Sequence, residues 1–66
     1  MKCYYIVDLK TGIRWSRNQW GTNKSIPDLY LIANNAFRQI TEGKVSLMCA
    51  NDPTLRPIIQ TVELKF

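Results

Sequence analysis

The chain is expected to fold as one small α+β domain of order ββαββ, with a single amphipathic helix on one face of a four-stranded, mainly antiparallel sheet. Three observations predict it. Residues 3–9 alternate in polarity as a half-buried strand does. Residues 26–42 carry an apolar stripe at helical spacing. Residues 44–50 and 58–66 then alternate again. With 66 residues there is room for one domain, and the whole chain, 1–66, is assigned to it.

The first strand, 3–9, sets Cys3, Tyr5, Val7 and Leu9 on one side and Tyr4, Ile6 and Asp8 on the other. Lys10-Thr11-Gly12 suits a three-residue hairpin turn ending on a glycine. The chain returns as a second strand over 13–17, with Ile13 and Trp15 opposed to Arg14 and Ser16. Trp15 is expected in the core under Phe37. Residues 18–24 are polar and contain a glycine, and are read as a loop in which Trp20 either plugs the core edge or meets a partner.

The helix is expected over 26–42. Ile26, Leu29, Tyr30, Ile32, Ala33, Ala36, Phe37 and Ile40 share one arc of the wheel, with Leu31 the lone apolar residue outside it. Ser25 followed by Asp28 reads as a capping box, Pro27 fits a first turn, and Gly43 reads as the left-handed closing residue. Residues 44–50 form the expected third strand, and Asn51-Asp52-Pro53 a turn. In the last strand, 58–66, Val62, Leu64 and Phe66 point inward and Thr61, Glu63 and Lys65 outward.

Composition narrows the function. There is no histidine, the five carboxylates are scattered, and no glycine-rich phosphate loop occurs, so no enzyme and no cofactor is expected. Cys3 and Cys49 are expected as free buried thiols, with a disulfide between the first and third strands as the alternative; two thiolates without histidine do not make a metal site. No apolar run approaches the ~18–20 residues of a membrane span, and the start is too short for a secretory segment. A cytoplasmic protein is therefore expected.

The net charge of +4 sits in the first third, where Lys2, Lys10, Arg14, Arg17 and Lys24 face only Asp8. Residues 14–24 combine three cations with two tryptophans and no acid. Cations neutralise phosphates and aromatic planes stack on unpaired bases, which slightly favours single-stranded nucleic acid as the partner. Arg14, Arg17, Trp20 and Lys24 are the candidate contacts, joined by Tyr4 if it shares a sheet face with Arg14. The same residue types anchor protein interfaces. The alternative is thus a stoichiometric partner or inhibitor acting on an acidic protein surface, as many small mobile-element and phage proteins do. Leu31 would be a further contact, and homodimerisation through edge strands is possible on the same grounds.

Overall fold

The computed structural model describes residues 1–64. It is a small α+β fold whose elements are β1 (Lys2–Asp8), β2 (Trp15–Ser16), β3 (Gln19–Trp20), α1 (Ala33–Glu42), α2 (Lys44–Asn51) and β4 (Pro57–Glu63). They form two separate two-stranded sheets, not one sheet of four. The first and last strands pair antiparallel along their whole length, from Lys2 against Glu63 to Asp8 against Pro57. The second sheet is a hairpin, Trp15 against Trp20 and Ser16 against Gln19.

β1 is the organising strand. One edge is taken by β4, and the other by bridges from Tyr30 to Tyr4 and from Arg14 to Val7. Both edges being occupied, no place remains beside β1 for a third strand over 44–50. That segment is α2 instead, a correction with a local reason as well. Lys, Leu, Met and Ala are good helix formers, and Val45, Met48 and Cys49 fall at helical spacing as readily as at strand spacing.

The expected helix over 26–42 is also corrected: α1 starts only at Ala33. Proline disfavours the helical region for the residue before it, and Ile26 lies outside any helix. The following groups are claimed elsewhere. Asp28 N–H donates to Trp15 O at 3.0 Å, and Tyr30 and Tyr4 exchange two backbone bonds of 2.8 Å. The capping box does not form. Ser25 Oγ accepts from Thr22 N–H at 2.8 Å, Asp28 Oδ1 accepts from Arg17 N–H at 3.2 Å, and the true cap residue, Ile32, makes no side-chain cap. Gly43 is extended rather than left-handed (φ −97°) and joins α1 directly to α2.

The first reversal lies where the sequence puts it. Gly12 has φ 79°, and Asp8 N–H donates to Ile13 O at 2.9 Å. The chain returning over 13–17, however, forms a strand bridge to β1 only at Arg14 and pairs onward with β3. Arg17 and Asn18 connect these strands with φ 53° and 63°, the two positive values that a type I′ hairpin requires.

The core lies between the sheet and the helices. Ile6, Trp15, Ala36 and Val45 are buried together, with Tyr4, Trp20, Tyr30, Ile40, Cys49 and Ile59 packed around them. Ile6 and Ile59 are register partners, so this is the Tyr4–Ile6 side of β1. Trp15 is buried as expected, whereas Phe37 is 53% exposed. Val62 is half-buried and Thr61 and Glu63 are exposed, but the register corrects their expected sides: Val62 lies opposite Cys3 on the face away from this core, while Thr61 and Glu63 share the side of Ile59; Lys65 and Phe66 lie outside the described residues.

A buried carboxylate ties the end of β1. Asp8 is 1% exposed. Its Oδ2 accepts from Thr11 N–H at 2.9 Å and from Thr11 Oγ1 at 2.6 Å, and its Oδ1 accepts from Arg56 N–H at 2.7 Å. The Thr11 hydroxyl first, then the Arg56 amide, hold its carboxyl below the ordinary range against the opposing effect of burial.

Candidate functional site, a basic hairpin beside an exposed apolar segment

The β2–β3 hairpin carries the candidate residues, and the structure treats them unequally. Arg14 is committed inside the molecule: its guanidinium lies 5.6 Å from the centre of the Tyr5 ring and donates to Ser25 O at 3.2 Å. Arg17, at the tip, is exposed, and its side chain makes no ion pair or hydrogen bond among the described residues. The carboxylate nearest to it in the bond network is Asp28, which takes the Arg17 backbone N–H. Lys24 is likewise exposed, and among the described residues only its backbone N–H is engaged, on Thr22 Oγ1 at 3.2 Å.

Trp20 is half-buried and meets Trp15 edge-on, ring centres 5.5 Å apart and planes at 79°. The tryptophans thus occupy each other, as a T-shaped pair does. Neither indole N–H has a partner among the described residues. Tyr4 does not join this face. Its backbone pairs with Tyr30 and its ring packs on the helix side, so the aromatic beside Arg14 is Tyr5, the next residue and hence on the opposite side of the sheet.

Between the hairpin and the chain that follows it is a cleft of about 310 Å³ lined by Ser16, Arg17, Gln19, Gly21, Ser25 and Ile26. The strand wall is held by Ser16 Oγ donating to Ile26 O at 2.7 Å and Gly21 N–H donating to Arg14 O at 2.9 Å. Gly21 permits the close approach: a Cβ there would sit 2.3 Å from Ser25 Oγ.

Sequence reasoning missed the apolar members of this surface. Ile26, Leu29 and Ile32 were expected on the buried arc of a helix. Outside any helix they are exposed, Ile26 by 86% and Ile32 by 59%, and Leu31 between them by 67%. The available signal was Pro27, whose effect on Ile26 argues against a helix start there.

The thiols are free. Burial first, then Asp8 and Asp52, raises the Cys49 thiol, which is half-buried, while Cys3 is buried in β1. The disulfide alternative is not formed. Burial, with Asp28 adding to it, raises the Tyr30 phenol. Among the described residues no cluster of three metal-ligating side chains occurs, and no helix is long and apolar enough to cross a membrane. Comparison of the chain with protein-family models, curated proteins and solved structures gives no match.

Proposed function

We propose that this protein is a non-enzymatic binding module whose partner is a protein with an acidic, partly apolar docking surface. The observation that carries this reading is the exposed run Ile26, Leu29, Leu31 and Ile32, which begins at the cleft lined by Arg17 and follows the exposed Lys24 in the chain, two cations whose side chains are unpaired among the described residues. An apolar patch rimmed by cations is what a protein interface offers, with burial supplying affinity and charge supplying orientation. Single-stranded nucleic acid is the less supported partner. Base stacking needs open aromatic faces, and here Trp15 is buried, Trp20 packs on it, and Tyr5 lies under Arg14.

The test compares wild-type protein with an Ile26→Asp/Leu31→Asp variant. Both residues are exposed, so the variant keeps its fold. Affinity capture from source cells under nuclease treatment should recover one stoichiometric protein with the wild type and lose it with the variant. Fluorescence anisotropy with single-stranded oligonucleotides runs alongside. Oligonucleotide binding that weakens steeply with salt, together with capture unaffected by the variant, would return the function to nucleic acid.

A further inference from the structure

The backbone bonds of β1 fix which groups of β4 are free. Tyr4 exchanges its bonds with Tyr30 and Asp8 N–H goes to Ile13 O, so the even-numbered residues of β1 face away from β4. Leu9 N–H donates to Arg56 O, and Leu64 N–H donates to Met1 O, so the odd-numbered residues face toward it. With Cys3 opposite Val62, Tyr5 opposite Gln60 and Val7 opposite Ile58, those three β4 residues are bonded to β1. Ile59, Thr61 and Glu63 therefore turn their N–H and C=O groups to the outer edge, and none of these groups has a partner among the described residues.

We propose that this edge pairs with the same edge of a second copy, antiparallel about a two-fold axis at Thr61, to make a continuous four-stranded sheet. Each hydrogen-bonded antiparallel pair exchanges two bonds. Centred on Thr61, the pairs are Ile59 with Glu63 of the second copy, Thr61 with itself, and Glu63 with Ile59. All open groups of these three residues are then satisfied in both copies. A register centred on Gln60 would set Pro57, which has no N–H, against Glu63 and leave bonds unmade.

The side chains fit the same register. Thr61 meets Thr61, a favourable cross-strand pair, and Glu63 meets Ile59 rather than a like charge. Glu63 is already paired, with the Met1 ammonium at 3.2 Å. On the other face Ile58 meets Leu64, and Val62 meets Gln60. The axis stands perpendicular to the sheet, which puts the helices of both copies on one side. A two-stranded sheet is short of the three or more strands usual for a stable one. The molecule exposes 4761 Å², above the ~4,300 Å² typical of its mass. Three residue pairs make a small interface, so the dimer is weak and concentration-dependent. This pairing is independent of the surface around Ile26.

Sedimentation equilibrium of the wild-type protein tests it, on raising the concentration from micromolar to millimolar. The mass should climb from 7.7 kDa toward twice that value. Thr61→Pro removes only an outward N–H, so it should leave the circular dichroism unchanged while holding the mass at that of a monomer. Amide hydrogen exchange of the wild type reads the edge without a variant: the amides of Ile59, Thr61 and Glu63 should slow at high concentration by the dimer's population. A monomer at millimolar concentration overturns the proposal. A dimer in which these three amides stay fast, or one that Thr61→Pro leaves intact, overturns it equally, because the copies then meet elsewhere. Slowing of these amides only on addition of another protein would give the edge a different occupant.

Discussion

Replacing Asp8 by Asn should destabilise the fold by about 2–3 kcal/mol at neutral pH. The carboxylate accepts three hydrogen bonds while 1% exposed, two from Thr11 at 2.9 and 2.6 Å and one from Arg56 N–H at 2.7 Å. Asn keeps one acceptor oxygen. If that oxygen serves Arg56, the new NH2 faces the Thr11 N–H, and a donor that had an acceptor is left opposite another donor. Hydrogen bonds to a charged acceptor contribute about 1.5–3 kcal/mol each, and an unpaired buried donor costs about 1–3 kcal/mol. Against the roughly 3–10 kcal/mol typical of a domain this size, the loss is large. Urea unfolding reads it as a midpoint lowered by about 2 M if the slope stays near 1 kcal/mol/M.

The pH dependence separates this mechanism from a mere packing defect. The folded pKa of Asp8 is depressed, so its contribution is full above the unfolded value, about 3.9, and is lost as pH falls through the folded value. Asn at position 8 cannot titrate. The gap between wild type and variant should therefore be constant near neutrality and narrow below about pH 4. A double-mutant cycle with Thr11→Val should show coupling, since the 2.6 Å bond is lost in either single variant. A variant within about 0.5 kcal/mol of wild type at pH 7, or a gap unchanged at acid pH, would refute the role assigned to this carboxylate.

Trp15→Ala empties the centre of the core and should cost about 3–5 kcal/mol, leaving no cooperative thermal transition or a severely lowered one by circular dichroism. Arg17→Ala and Lys24→Ala remove exposed, unpaired cations and should change the urea midpoint by less than about 0.5 kcal/mol in equivalent stability, while weakening capture of the protein partner. Thiol titration should find both cysteines free without reductant, unreactive in the native state and fully reactive in urea. Cys49 should label slowly even at mildly alkaline pH, because burial and the nearby carboxylates keep it protonated.

How far the sequence was legible depends on whether local pattern and available pairing agreed. β1 and β4 were readable because alternation, β-branched content and partner edges all point the same way. The Lys44–Asn51 segment was not: its alternation has a helical reading too, with Val45, Met48 and Cys49 at helical spacing, so the local pattern alone does not choose between them. The β2–β3 turn was missed because it uses Arg-Asn rather than a glycine at its positive-φ positions. Asp8 looked like an outward strand residue, because its ligands come from Thr11 nearby and from Arg56, 48 positions away.

The misread stretch 26–32 bears most on function. Its apolar residues at helical spacing argue for burial, yet burial needs the helical backbone, and the backbone is committed twice over. Pro27 steers Ile26 away from the helical region. Tyr30 then gives its N–H and C=O to Tyr4, at 2.8 Å each, and Asp28 gives its N–H to Trp15. Off the helical path the run has no common apolar face: Tyr30 alone is bridged to a strand, Leu29 and Leu31 beside it alternate away, and the chain bends at Leu31 and Ile32. Tyr30 goes in, while Ile26, Leu29, Leu31 and Ile32 stay out. The pattern that predicts a core helix thus becomes the apolar surface proposed to meet the partner, and variants in this stretch should disturb binding before they disturb the fold.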